Sequence, residues 1–302
     1  MSGGPLNTID LSMFQCGRKS LLPLLTRLLF VSCALLLAGC KSATSLLFYP
    51  SQQYFNDPAD HGISYQEVTL QTNDGEILKH WYFDTDQPVK GYVVFFHGNA
   101  ENISTHFASV FWLPKAGYEV LLVDYRGFGL SSGVPTLPEV FHDMQLSYNY
   151  LFDKAEGKPV YVLSQSIGAA LSVVALSDTH KLHGEPQCMV LDAGFAGFRD
   201  MARSALQNGW LTWPVAYPAS WLLPDEYEPR DYAAKISFPV LQMHSSQDQI
   251  VPYEQGKRLF EAFQASGQGQ VTWQDVLGPH IMTFHQKENR QRVLEYWQGG
   301  CS

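Results

Sequence analysis

The stretch Val160-Tyr-Val-Leu-Ser-Gln-Ser-Ile-Gly-Ala-Ala170 passes from an apolar, β-branched and aromatic run into helix-forming residues, with Ser166 at the junction. Val160 to Leu163 read as a strand, and a helix follows from Ser166. Small residues stand two positions before the serine (Ser164) and two after it (Gly168). A sharp strand-to-helix turn needs them, because the two elements nearly touch there. Such a turn lifts a serine hydroxyl clear of the sheet edge. The same serine satisfies the pattern of a helix N-cap. What arrives beside it decides between the two roles.

Working outward, "GYVVFF" (91–96), "YEVLLV" (118–123), "CMVLD" (188–192) and "PVLQM" (239–243) are continuous apolar runs. Strands buried on both faces of a parallel sheet read this way. "EVTLQT" and "ILKHWYF" flank Asn73-Asp74-Gly75, a turn signal that predicts an antiparallel hairpin. Helices are expected at 103–116, 137–153, 253–266 and 286–298, and a last strand at 271–276. Residues 195–235 read as irregular. The pattern predicts an α/β fold: a mostly parallel sheet, an N-terminal antiparallel hairpin, helices on both faces and a small apolar excursion after the sixth strand. One domain over 61–302 accounts for it.

Ligands of open α/β sheets bind beyond the carboxyl ends of the strands. At those ends stand His97-Gly98-Asn99, Asp124, Ser166, Asp192, Asp248 and His280. A serine hydroxyl is a weak nucleophile at neutral pH and needs a base. A histidine supplies it, and a carboxylate fixes the tautomer of that histidine and stabilises its cation. Ser166, His280 and Asp248 fill these roles. Asp192 is the rival acid, one strand earlier. His97 reads as a loop brace, and His106, His142, His180 and His183 as surface residues.

The chain order serine, aspartate, histidine, together with "HGNAEN" (97–102), "DYRGFGLSSG" (124–133), "SQSIG" (164–168) and "DQIVP" (248–252), resembles the α/β hydrolases. The likeness is to their lysophospholipase-like, acylglycerol lipase-like and depalmitoylase-like serine hydrolases. It implies Ser166 as nucleophile, His280 as base and Asp248 as acid. It also implies an oxyanion hole made by the backbone N–H groups of Ile167 and Asn99. Two positions depart from the pattern, Ser164 and Ser245, where glycine is usual. Gly127 and Gly129 mimic a dinucleotide-binding loop, but Ser132 stands where its third glycine belongs. No cofactor and no metal are expected. The implied partner is a small-molecule or lipid acyl ester, and the implied chemistry is cleavage of an ester or thioester. An amidase, a peptidase or a non-catalytic binding module could use the same frame.

The 302 residues hold 29 acids against 20 bases. The first forty contain Asp10, Arg18, Lys19 and Arg27, so the remainder has 28 acids and 17 bases, a net −11. That surface repels phosphate backbones, which argues against nucleic acid. Arg18, Lys19 and Arg27 precede an uncharged run from Leu28 to Gly39, too short for a spanning helix. Its end, Leu37-Ala38-Gly39-Cys40, resembles the lipobox of bacterial lipoproteins. The resemblance implies a signal peptide over 1–39, a lipid on Cys40 and a membrane-anchored place in the cell envelope. The lipidated segment 40–60, polar and proline-punctuated with one apolar knot from Leu46 to Tyr49, reads as a tether that then lies on the domain. Two cysteines beyond it, Cys188 and Cys301, are too distant in sequence for their spacing to establish a bridge. The excursion 195–224 is rich in aromatic residues and reads as a lid, an acyl pocket or plain packing.

Overall fold

The computed structural model describes residues 44–207 and 220–302. The signal segment, Cys40, and Trp210, Leu211, Trp213 and Tyr217 of the excursion lie outside the described residues. The hairpin forms as its turn predicts: β1 (Gln66–Gln71) pairs antiparallel with β2 (Ile77–Phe83), and Gly75 takes the left-handed φ of +93°. β2 then lies antiparallel to β4 (Tyr118–Val123). From there every pairing is parallel, through β3 (Gly91–Phe96), β5 (Val160–Gln165), β6 (Cys188–Asp192), β7 (Val240–Ser245) and β8 (Val271–Val276). The sheet order is β1-β2-β4-β3-β5-β6-β7-β8.

The continuous apolar runs are explained by two cores, one on each face. Successive side chains of a strand point to opposite faces. Val94, Phe96, Leu121, Val123, Val162 and Leu191 face one core. It includes Val140, Met144 and Leu151 of α1 (Glu139–Lys154) and Leu171 of α2 (Ile167–Ala175). Val93, Phe95, Val120, Leu122, Leu163 and Val190 face the other, with Val293 and Trp297 of the C-terminal helix (Lys287–Gln298). α3 (Phe198–Gln207), α4 (Pro229–Ala233) and α5 (Tyr253–Ser266) precede that helix, α6, in the chain. Among the described residues no helix is long and apolar enough to cross a membrane.

Three expectations change. The stretch 103–116 is not one helix but one helical turn, Ile103–His106, followed by two 3₁₀ turns, Phe107–Ser109 and Pro114–Ala116. Pro114 has no N–H to continue a helix, and Ile103, Val110 and Leu113 are each fully buried, so packing decides the path. The segment 195–235 is less irregular than expected, since α3 and α4 lie within it. Phe195 and Phe198 pack into the core, whereas Trp221 and Leu222 are exposed. His106 is buried rather than on the surface, its ring stacked on that of His97 with centroids 4.9 Å apart. Burial pushes its pKa down to about 3, so it is neutral.

Residues 44–60 form a strap laid onto the domain. Thr44 and Phe48 are buried, and the Leu137 N–H donates to Thr44 Oγ1 at 3.1 Å. Asn99 clamps the strap: its Nδ2 donates to Leu47 O (2.7 Å) and its Oδ1 accepts from Tyr49 N–H (3.0 Å). Asn102 Nδ2 donates to Ser51 O and Gln53 O. The far end of the chain is fastened as well, because Cys188 at the start of β6 and Cys301 after α6 form a disulfide that closes a separation of 113 residues. A bridge over so long a loop restricts the unfolded chain strongly. Cys301→Ser is expected to lower stability by about 2–5 kcal/mol. Melting curves of the variant and of the parent under reductant should agree with each other and fall below the oxidised parent; identical melting of all three would refute it.

Candidate active site

Ser166 leaves β5 with φ 56° and ψ −121°, a left-handed conformation that a non-glycine residue holds only when its neighbours force it. Three backbone bonds do so here. The Ser166 N–H donates to Asp192 O at 2.8 Å, and the N–H groups of Ala169 and Ala170 donate to Ser166 O. The close approach behind the turn is equally specific. A Cβ on Gly168 would lie 2.4 Å from His97 O and 2.5 Å from Phe96 O. Gly168→Ala is therefore expected to cost about 1–3 kcal/mol through overpacking against backbone that cannot give. A denaturant midpoint equal to the parent's would show that the elbow relaxes instead. Ser164 fits where glycine is usual because its hydroxyl is absorbed: Ser164 Oγ and Ser172 Oγ are 3.0 Å apart, within the turn they brace.

The serine does not cap its helix, since its side chain makes no N-terminal capping bond. It points instead to His280. Ser166 Oγ is 2.9 Å from His280 Nε2, and His280 Nδ1 is 2.6 Å from Asp248 Oδ2. Ser166 is buried, the imidazole is 15% exposed and the Asp248 carboxyl 1% exposed, so only the reacting end of the row meets solvent. Asp248 sits in a loop after β7, where its Oδ1 accepts from the N–H groups of Ile250 and Val251. Burial works to raise its pKa. The hydrogen bond and charge of His280, with those two N–H groups, outweigh burial and hold it below the usual carboxylate range.

Asp192, the rival acid, is brought to the same place but not to the imidazole. Its Oδ1 accepts from Thr283 Oγ1 (2.7 Å) and its Oδ2 from Gln165 Nε2 (2.8 Å). Burial raises its pKa to about 6 against those two hydrogen bonds and the charge of His280. Its contacts hold the turn and the histidine loop together. Thr283 and Gln165 carry no signal in the sequence that singles them out. Ser245, the other departure, also has a structural use: its Oγ donates to Gly278 O at 2.7 Å, while Gln247 Oε1 accepts from Gly278 N–H at 2.9 Å. The acid loop and the histidine loop are thus stitched to each other.

The loop after β3 lies against the serine, with the Cβ position of Gly98 3.5 Å from Ser166 Cβ. Asn99 follows Gly98 in this loop, and Ile167 follows Ser166 as the first residue of α2. His97 braces this loop. Its Nδ1 is 2.7 Å from Gly98 O and its Nε2 3.1 Å from the buried Asp124, while the Tyr125 hydroxyl donates to His97 O. A cleft of about 450 Å³ opens beside His280, lined by Gln247, Gln249, Ile250 and Pro279. Two larger hollows, about 600 and 550 Å³, lie along α1 and include neither Ser166, Asp248 nor His280. Of these, only the smaller cleft is lined by a member of the row, His280. Among the described residues no group of three or more His, Cys, Asp or Glu could hold a metal ion.

An eight-stranded, mostly parallel sheet in this order, with a strained serine turn after its fifth strand, is the α/β-hydrolase fold. Residues 87–229, just under half of the chain, match the family model described as Serine aminopeptidase, S33. Over 231 residues the chain is 27% identical to the uncharacterized protein YfhR of Escherichia coli K12, covering 73% of this chain and 75% of that one. It is 26% identical over 200 residues to the lysophosphatidylserine lipase ABHD12 of Danio rerio, covering 63% of this chain and 51% of that one. Among solved structures the Pyrococcus furiosus esterase Pf2001 superposes with a TM-score of 0.68 at 21% identity, covering 84% of this chain and 98% of that one. That likeness speaks for the fold.

Proposed function

We propose that the chain is a serine hydrolase that cleaves carboxylic esters or thioesters through an acyl-enzyme on Ser166. The observation that carries this reading is the unbroken row from Ser166 Oγ through both nitrogens of His280 to Asp248. In the forward half, the Ser166 hydroxyl proton passes to His280 Nε2 as Oγ bonds to the acyl carbon. The carbonyl oxygen becomes an oxyanion facing the N–H groups of Ile167 and Asn99. It then re-forms the carbonyl, and the bond to the alcohol or thiol breaks as His280 returns the proton to that leaving group. Water repeats the sequence, giving its proton to His280 and its oxygen to the acyl group, which leaves as the acid while the proton goes back to Ser166.

The chemistry tests directly. A fluorophosphonate probe is expected to label the full chain once, at Ser166, with peptide mass mapping as the readout; a folded protein that stays unlabelled ends the reading. The amidase or peptidase alternative is favoured by one observation, the description of the matching family model. Parallel turnover of nitrophenyl esters and aminoacyl anilides divides the two.

We also propose that Cys40 carries lipid and that the protein is held at the bacterial cell envelope. Support comes from Leu37-Ala38-Gly39-Cys40 and from the Cys188–Cys301 bridge, which suits an oxidising compartment. The intact mass of the purified protein should correspond to a chain beginning at Cys40 plus acyl groups.

A further inference from the structure

Ten large apolar side chains are strongly exposed among the described residues, and their distribution is one-sided. Leu46, Tyr49 and Phe55 lie on the strap. The rest lie on segments that leave the carboxyl end of a strand: two after β4, two after β6, one after β7 and two after β8. None of these seven lies on a segment that enters a strand. The carboxyl edge is also the edge that carries Ser166, His280 and Asp248. Several of these residues sit beside the chemistry. Tyr49 is held by Asn99, the residue after Gly98, which packs on Ser166. Ile250, 64% exposed, lines the cleft with His280, and Met282 is two residues beyond it. Trp221 and Leu222, 66% and 63% exposed, project from the excursion after β6. Packing explains buried aromatics; it does not explain apolar surface gathered at one mouth.

The chain itself says what covers this edge. Four residue steps separate Cys40 from Thr44, the first described residue, and even fully extended they reach at most about 14 Å. Thr44 opens the strap, which is pinned at Leu47 and Tyr49 to the loop beside the nucleophile. A lipid on Cys40 would therefore hold this edge, and not another, against the bilayer. The charge agrees with apolar contact, since the body beyond residue 40 has 28 acids and 17 bases and would be repelled by an anionic surface.

We infer that the apolar rim along the edge that carries Ser166 and the cleft beside His280 docks on a lipid bilayer, so that the site takes its acyl substrates from the membrane to which the protein is tethered. The inference rests on the lipidation of Cys40 and on Ser166 as the nucleophile. Docked this way, the protein lies in the interface by its exposed Leu, Trp and Ile side chains, without a spanning segment. The cleft opens toward the acyl-chain region, and an ester at the headgroup boundary is the first bond it meets.

The test uses the full, lipidated protein bound to phosphatidylcholine vesicles with brominated acyl chains, which quench tryptophan by contact. Tryptophan is added singly at Leu46 or Leu222 on the rim, and at the exposed Gln187, which enters β6 at the opposite edge. The added emission of Leu46→Trp and Leu222→Trp should be quenched at least about threefold more than that of Gln187→Trp. Equal quenching at both edges, on protein that sediments with the vesicles, overturns the docking. Failure of the parent to sediment overturns the anchor reading, and the docking with it. A second arm measures turnover: Leu46→Glu combined with Leu222→Glu should slow hydrolysis of nitrophenyl palmitate held in these vesicles by about tenfold, and leave water-soluble nitrophenyl acetate unchanged. Parallel loss on both esters counts against docking. No turnover by the parent on either ester indicts the nucleophile, while the quenching arm still decides the docking.

Discussion

Ser166→Ala is expected to lower kcat by about 10⁵–10⁶-fold and to abolish fluorophosphonate labelling, while leaving the thermal midpoint almost unchanged. The loss is large because nothing replaces the bond that Oγ forms; the oxyanion donors and the cleft supply only the residual rate. The stability should hold because alanine keeps the same backbone demand at φ 56°, and the bonds that force it belong to the main chain. The hydroxyl makes no capping bond to lose. A variant that still labels, or that retains more than about a hundredth of the activity, would place the nucleophile elsewhere.

Asp248→Asn should cost about 10⁴-fold in kcat. An amide in place of the carboxylate no longer selects the tautomer in which His280 Nδ1 carries the proton and Nε2 is free to accept from Ser166. It also removes the charge that stabilises the imidazolium. Asp192→Asn provides the contrast. Asp192 lies at the same sheet edge but bonds Thr283 and Gln165 rather than the imidazole. Its loss should therefore cost no more than about tenfold, and should weaken the protein where the elbow meets the histidine loop. Steady-state kinetics on one ester, with a melting curve for each variant, separates the two acids. If Asp192→Asn proved the more damaging in kcat at equal stability, the assignment would be reversed.

These two carboxylates mark how far the chain alone could be read. The sheet was legible because its strands are buried on both faces, which leaves long apolar runs, and because Asn73-Asp74-Gly75 permits a single kind of turn. Ser166, Asp248 and His280 were legible because the fold brings strand ends to one edge. The bonds that hold them there were not. Thr283, Gln165 and Gln247 are polar residues of common type, and their partners lie 91, 27 and 31 positions away. Local pattern carries no trace of such pairings. The helix expected at 103–116 failed for a related reason: burial of Ile103, Val110 and Leu113 overrode the local preference. His106 followed that segment into the interior. The apolar knot Leu46 to Tyr49 let the strap be read as lying on the domain, but its hold on two distant asparagines, Asn99 and Asn102, left no local trace.

Both described extremities are fixed, Thr44 by the main chain of Leu137 and Cys301 by its bridge to Cys188. Most domains unravel from loose ends, where fraying and nibbling proteases begin. Among the described residues the zip has its tabs tied at both sides, so thermal opening and proteolytic nicking are expected to start from an internal loop. A fusion partner joined close after Cys301 would emerge beside a core disulfide, and a long flexible spacer is the way to add one without prising that bridge open.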